Sequence, residues 1–336
     1  MLRKVFIIAE AGVNHNGDIR LAEKLVRAAK AAGADAVKFQ TFSADKLAAA
    51  SARTVGYQRS SVGDMTQKAM LKRLELGEKA HVRLFRLCQK EKVMFLSTPF
   101  DEESVHLLSG LGVRIFKIPS GELTNTPFLK QVARQGRPII LSTGMASLDE
   151  VAAAVRAVRS AGNTSLTLLH CVTEYPAPFD QVNLRAIQTL ARRFNVSVGF
   201  SDHTPGIWMP LAAVALGAVV IEKHLTLDRS LPGPDHKASL VPAEFTEMVR
   251  AVRAVESAMG DGIKRPAQCE KKYASSVRKS VVAVRPVSKG VRITADDLGT
   301  KRPGSGIPPS CMKDLIGRRA KRQIREDQIL TWSMVA

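Results

Sequence analysis

No apolar stretch in these 336 residues approaches the ~20 needed to cross a bilayer, so a membrane-spanning helix is excluded. The first apolar run, residues 5–9, is too short for the core of a secretion signal and meets Glu10 at once, so a cytoplasmic protein is expected. Cysteine is scarce. Cys88, Cys171, Cys269 and Cys311 are scattered, with neither the spacing of a zinc site nor the density of a disulfide scaffold. Aromatic residues make up only 5% of the chain, and no basic run is interleaved with them, which argues against a single-strand nucleic-acid groove. A Gly-x-x-x-x-Gly-Lys-Ser/Thr loop is absent, which argues against a nucleoside-triphosphate enzyme. Acidic residues are also short: 31 Asp and Glu stand against 50 Lys and Arg, a net charge of +19. Residues 277–336 hold 13 of the basic and 5 of the acidic residues, more than their share of the excess. Such a surplus suits anionic metabolites or simply a solvated basic surface, and no nucleic-acid or membrane partner is expected.

What the chain does have is eight short apolar runs, each ending in residues able to do chemistry. Six span 5–10, 36–40, 93–98, 115–120, 138–143 and 166–171, and the last two end in Ser201-Asp202-His203 and Glu222-Lys223-His224. Stretches with helical periodicity separate them, at 19–32, 77–91, 101–111, 127–135, 147–161, 184–194, 205–217 and 242–259. The runs are continuous rather than alternating, as expected of parallel strands covered on both faces. Strand and helix alternating eight times predict an α/β fold, a (β/α)8 TIM barrel, over residues 1–261, with catalytic groups at the C-terminal strand ends. Residues 262–276 read as a linker. Residues 277–336 read as a small β-rich domain with short strands at 280–284, 298–300 and 329–332. The connection at 41–76 is long, and long loops on the catalytic face usually shape the site or its lid.

Side chains two apart on a strand share a face. Glu222 with His224, Lys38 with Gln40, and Ser201 with His203 therefore point together. Strands seven and eight are neighbours in a closed barrel, so His203 and His224 approach each other at the mouth. With Glu222, Asp202 and Asp235 nearby, they suit a divalent metal such as Mn2+, Co2+ or Zn2+ with open positions for water or substrate. Lys38 and Lys117, at the ends of strands two and four, are costly to desolvate unless paired, and an anionic ligand offsets that cost. Thr98, Ser120, Ser142, Thr143 and Ser201 add hydroxyls around the same mouth, though each could equally cap a following helix. Glu10 can orient substrate or move protons. Asn14 and Asn16 could bind sugar hydroxyls or form turns. The loop 231–236 aims Asp235 and His236 back at the mouth, and Tyr175-Pro176 after the sixth strand gives a weaker signal of the same kind.

The ordered motifs Ala9-Glu10-Ala11-Gly12-Val13-Asn14-His15-Asn16-Gly17, Val37-Lys38-Phe39-Gln40-Thr41-Phe42, Leu96-Ser97-Thr98-Pro99-Phe100-Asp101, Phe116-Lys117-Ile118-Pro119-Ser120-Gly121-Glu122, Leu141-Ser142-Thr143-Gly144-Met145, Leu169-His170-Cys171, Gly199-Phe200-Ser201-Asp202-His203 and Glu222-Lys223-His224 resemble the bacterial sialic acid synthase family. That family includes the neuraminate, legionaminate and pseudaminate synthases. Residues 301–307 resemble the signature of its C-terminal antifreeze-like (SAF) domain. The resemblance spans nearly the whole chain.

It implies metal-dependent condensation of phosphoenolpyruvate with an open-chain N-acetylated hexosamine (N-acetylmannosamine or 2,4-diacetamido-2,4,6-trideoxymannose) and water. The products are a nine-carbon 2-keto acid and phosphate, formed by C–O cleavage. Lys38, Thr98, Lys117, Ser120, Ser142 and Ser201 match phosphoenolpyruvate-binding positions, with Gln40 beside Lys38. His203 and His224 match metal ligands, usually for Mn2+, with Mg2+ or Co2+ as alternatives. Glu10, Asp235 and Glu222 match the catalytic carboxylates. Asn14, Tyr175 and Arg302 fall on the sugar side, Arg302 coming from the partner of a homodimer domain-swapped through the SAF domain. After the sixth strand the chain reads Val172-Thr173-Glu174-Tyr175, where some members place Asn at the third-residue position. The Tyr57-Gln58 segment looks more like the neuraminate and legionaminate branches. Two alternatives are a different phosphoenolpyruvate-dependent sugar-acid synthase, of the pseudaminate or coat-polysaccharide type, and a non-catalytic barrel whose basic tail binds an acidic glycan.

Overall fold

A computed structural model describes residues 4–56, 59 and 63–336. The chain divides into two compact units, Met1–Gly260 and Asp261–Ala336. In the first, the strands are β1 (Phe6–Gly12), β2 (Ala36–Thr41), β3 (Met94–Pro99), β4 (Phe116–Ile118), β5 (Ile139–Ser142), β6 (Leu166–Cys171), β7 (Ser197–Asp202) and β8 (Val220–His224). All their ladders are parallel, in the order β3-β2-β1-β8-β7-β6-β5-β4. The two ends of that order, β3 and β4, lie alongside each other, so the sheet forms a nearly closed barrel.

Local chemistry sets the helices between them. In α1 (Ile19–Ala31), the Asp18 carboxylate accepts from the Arg20 N–H at 2.7 Å and so satisfies one of the free amides of the first turn. Gly33 follows with a φ of +85°, where glycine is favoured. The helix over Leu148–Ser160 starts with a reciprocal capping box between Ser147 and Glu150. The long connection after β2 differs from a plain loop. Among the described residues it carries the short helices α2 (Ala44–Leu47) and α3 (Gln67–Leu74). Their apolar faces pack with Val13 and Phe42 into a separate small cluster. The Tyr57-Gln58 pair lies outside the described residues.

Inside the barrel the strands are layered. Ile8, Ala36, Leu96, Ile140, Leu169 and Val220 form an apolar plug. Two residues further along the same strands stand Glu10, Lys38, Thr98, Ser142, Cys171 and Glu222, all buried. The plug excludes water from below, and the polar layer forms the floor of the open end. Gly199 on β7 makes this packing possible, because a Cβ there would lie 2.4 Å from the Val220 carbonyl oxygen.

The second unit has its own core of Val281, Ala283, Val287, Ile293, Leu298, Ile307, Leu315, Ala320, Ile324 and Leu330. Its antiparallel pair, β9 (Ser280–Ala283) and β10 (Leu298–Lys301), agrees with the expected strands. The expected strand at 329–332 is reduced to a single bridge from Ile329 to Val282, followed by a 3-10 turn at Trp332–Met334. The stretch read as linker contains the start of a helix, Lys271–Val277. Among the described residues no helix is long and apolar enough to cross a membrane.

Candidate active site

The polar layer opens into a cavity of about 420 Å3 at the C-terminal strand ends. On its floor Lys38 sits between two carboxylates, with Nζ 2.9 Å from Glu10 and 3.6 Å from Glu222. Lys117 Nζ lies 3.4 Å from the other oxygen of Glu222. Lys38 donates to Thr98 Oγ1 at 3.1 Å, Ser201 Oγ donates to Glu222 at 2.9 Å, and Gln40 Nε2 donates to Glu10 at 3.4 Å. Two cations and two carboxylates therefore share one water-poor space, where each tunes the others. Burial pushes Glu10 up to about 7, with Glu222 reinforcing the rise and Lys38 opposing it. Burial would also raise Glu222, but Lys117 and Lys38 outweigh it and hold that carboxylate at about 2. Burial acts on Lys38 in the opposite sense, yet Glu10 and Glu222 leave it above its ordinary value. Lys117 stays below its own because burial prevails. The floor thus carries one firmly ionised carboxylate and one, Glu10, that titrates near neutrality.

The side of the cavity beyond Lys117 is built for hydrogen bonding. Ser120 lies in a 3-10 turn just past β4 rather than in the strand. Its Oγ accepts from the Gly144 N–H at 2.9 Å and lies 3.2 Å from Cys171 Sγ. Gly144 must be glycine for this approach, since a Cβ would stand 2.3 Å from Thr173 Oγ1 and 2.9 Å from Ser120 Oγ. Ser142 Oγ and Thr173 Oγ1 are buried without a protein partner. Unsatisfied buried hydroxyls at a cavity wall are the positions where a ligand completes the hydrogen bonding.

Opposite stand the two imidazoles. His203 lies just past β7 and His224 ends β8, with ring centroids 5.5 Å apart. The Val172 carbonyl, 2.6 Å from His203 Nδ1, can only accept, so Nδ1 carries the proton and Nε2 keeps its lone pair. Burial drives His203 down to about 4 and His224 well below its ordinary range, so both rings are neutral. His224 Nδ1 is buried without a hydrogen-bond partner, 3.7 Å from Asp235 Oδ2. Burial raises Asp235 to about 6. Among the described residues no group of three or more His, Cys, Asp or Glu is disposed to hold a metal ion. Two neutral imidazoles with one carboxylate near the second are still a donor set that fits a divalent cation completing its shell from water or substrate. Tyr175 covers this corner, its ring 4.0 Å from that of His203 and 5.5 Å from that of His224.

The structure brings Glu10, Lys38, Gln40, Thr98, Lys117, Ser120, Ser142, Tyr175, Ser201, His203, Glu222, His224 and Asp235 to one cavity. Asn14 is not among them. Its amide donates to the Leu225 carbonyl at 2.9 Å and to Ser239 Oγ at 2.8 Å, tying the first loop to the last, while its Oδ1 is buried without a hydrogen-bond partner. Arg302 is exposed in the second unit, between β10 and Gly304. Residues the sequence reading missed include Leu47, Met70, Leu71 and Leu74 from α2 and α3, which form an apolar wall, with the polar Gln67 beside them. The hydrophobic stripe of α3 was the available signal. Cys171, also missed, ends β6 as regularly as Ser142 ends β5.

Comparisons with known proteins agree with this geometry. Residues 25–264 match the model of the NeuB family, and residues 278–336 match that of the SAF domain. An N,N'-diacetyllegionaminic acid synthase of Campylobacter jejuni is 49% identical, covering 98% of this chain and 99% of that one. A protein of the same name from Legionella pneumophila is 47% identical over 98% of this chain and 94% of its own. The crystal structure of an N-acetylneuraminic acid synthetase from Leptospira borgpetersenii, in complex with citrate, superposes with a TM-score of 0.72 at 37% identity, covering 80% of this chain and 90% of that one. The chain belongs to the NeuB family, and is an enzyme of the sialic acid synthase kind with a C-terminal SAF domain.

Proposed function

We propose that the protein condenses phosphoenolpyruvate with the open-chain form of 2,4-diacetamido-2,4,6-trideoxymannose and water, releasing phosphate and a nine-carbon 2-keto acid of the legionaminate type. The observation that carries this reading is the pairing of two buried lysines, set among Thr98, Ser120, Ser142 and Ser201, with a neutral imidazole pair across the same cavity. The choice of acceptor leans on the two relatives named as diacetyllegionaminic acid synthases.

Lys38 and Lys117 bind the anionic donor, and the hydroxyls fix its face toward the acceptor, which converts an encounter into an oriented reaction. C3 of phosphoenolpyruvate bonds to the aldehyde carbon, water adds at C2, and the C–O bond to phosphate breaks. The aldehyde oxygen takes up one proton as the added water gives up another. Glu10, poised near neutrality, can hold the proton between those two events. Asp235 stands beside His224 and can orient an acceptor hydroxyl. His203 and His224 would hold a divalent metal, Mn2+ in our reading, which would supply Lewis acidity toward the acceptor carbonyl oxygen.

The four cysteines are unpaired, in keeping with a reducing cytoplasm. We place the enzyme in a homodimer in which the SAF unit of one copy covers the cavity mouth of the other. Met145, Phe179 and Trp208, in the connections that follow β5, β6 and β7, are exposed apolar side chains, and Met145 lines the cavity; such surface suits being covered. On that arrangement Arg302→Ala raises the acceptor KM at least tenfold and leaves phosphoenolpyruvate affinity within about twofold. An equal loss of both affinities removes the assigned role.

Phosphate release from phosphoenolpyruvate tests the function, with Mn2+ and N-acetylmannosamine, 2,4-diacetamido-2,4,6-trideoxymannose or no sugar. Release with the diacetamido sugar alone is expected. Preference for N-acetylmannosamine changes the acceptor assignment, and release with neither sugar from folded protein overturns the reading.

A further inference from the structure

The layer behind the cavity holds a charged pair to which the reaction gives no part. Asp202 and Lys223 are register partners on β7 and β8, with side chains 0% exposed. Alternation along the strands puts Ser201, His203, Glu222 and His224 on the inner face, so Asp202 and Lys223 lie on the outer one, between barrel and helices. Lys223 Nζ donates both to Asp202 Oδ2 and to the Thr204 carbonyl oxygen. Asp202 Oδ1 accepts from the Thr204 N–H at 2.9 Å. One ammonium thus grips the residue before His203 and the residue after it, and is itself the chain neighbour of His224.

That placement answers a mechanical need. β7 ends at Asp202, so His203 lies beyond the ladder, its carbonyl accepting instead from the Ala177 N–H at 2.9 Å and its ring held by the Val172 carbonyl. His224 still belongs to β8. The two imidazoles therefore have unequal support from the sheet, and their separation depends on whatever fixes residues 202–204. A buried ion pair is a costly way to join two strands, and an apolar pair usually serves stability as well or better. An apolar pair could not hold the Thr204 carbonyl.

We infer that Lys223 and Asp202 are positioning residues that fix His203 relative to His224 and so set the affinity of the imidazole pair for a divalent cation. The inference rests on the proposed metal role of that pair.

The test uses the full-length protein, with Mn2+ binding followed by electron paramagnetic resonance. Phosphoenolpyruvate binding is followed by calorimetry in the presence of chelator, and the folded state by circular dichroism. The double substitution Asp202→Asn with Lys223→Met removes the grip without leaving a charge buried alone. It is expected to weaken Mn2+ binding 10- to 100-fold, the range typical when groups orienting a metal ligand are lost. Metal-free phosphoenolpyruvate binding should stay within about threefold and the melting temperature should not fall. That split separates positioning from general loosening. Mn2+ affinity within twofold of wild type in the folded variant overturns the inference. If the double variant does not fold, Asp202→Asn alone keeps the contact to the Thr204 N–H and is read by the same measurements, with unchanged Mn2+ affinity again overturning it. A wild-type protein that binds no Mn2+ overturns the metal reading itself, and the inference with it.

Discussion

Two layers of the same barrel, one step apart along the same strands, are built on opposite principles. The plug of Ile8, Ala36, Leu96, Ile140, Leu169 and Val220 is apolar and satisfied by packing alone. The layer above it, from Glu10 to Glu222, buries two lysines and two carboxylates that satisfy one another incompletely. Burial of apolar area stabilises the fold, whereas burial of charge opposes it unless paired. Stability is therefore concentrated below and reactivity above, and the polar layer persists because an apolar plug and a nearly closed ring of strands hold it in place. The difference teaches that a strand can serve both ends when the apolar half is contiguous and the polar half meets a cavity.

The sharpest way to break this comparison is at the top of β8. His224→Ala should lower metal-dependent turnover about 10^3-fold or more, since a Lewis acid supplies several kcal/mol of transition-state stabilisation, with little change in melting temperature. Phosphate release at a near wild-type rate would remove His224 from the chemistry. In the plug, Leu96→Ala should cost about 2–5 kcal/mol of stability through the cavity it leaves. Phosphoenolpyruvate affinity of the folded fraction should remain within about threefold. Denaturant unfolding and calorimetry check the two halves of that statement, and a lost affinity with unchanged stability would reverse the roles of the layers.

Lys117→Met should show the opposite pattern. Donor binding falls by the ~1.5–3 kcal/mol of hydrogen bonds to a charged group, roughly 10- to 150-fold, while stability holds or rises because Glu222 keeps Lys38. The smallest effect concerns Glu10. Below about pH 7 it is protonated, and Lys38 is available to an anion. Above that pH the ionised carboxylate competes for the same ammonium. Phosphoenolpyruvate affinity should therefore fall as pH rises from 7 to 9, by at most about tenfold per unit for a single linked proton. Glu10→Gln should flatten the profile; a slope that persists in this variant assigns the proton elsewhere.

Much of this site was legible before any coordinates. Period-two alternation placed Lys38 with Gln40 and Glu222 with His224, and parallel neighbours brought β7 beside β8. Ser120 and His203 were found although both lie past their strands, because motif spacing tolerates a residue of drift that geometry does not. The tie that the Asn14 amide makes between the first and last loops was not legible, because it depends on where Leu225 and Ser239 lie. The apolar wall of α2 and α3 was missed because the connection after β2 was read as a loop, although α3 carries a hydrophobic stripe.

The sequence by itself determined the order of strands and helices and the identity of the groups at each strand end, because these follow from local periodicity and from the closure of parallel strands. Only the tertiary structure decided which carboxylate stays charged, which hydroxyls remain free and that Lys223 reaches across to the Thr204 carbonyl. Those outcomes depend on distances of a few ångströms between strands far apart in the chain, where burial and neighbouring charge rather than residue type set the state of each group.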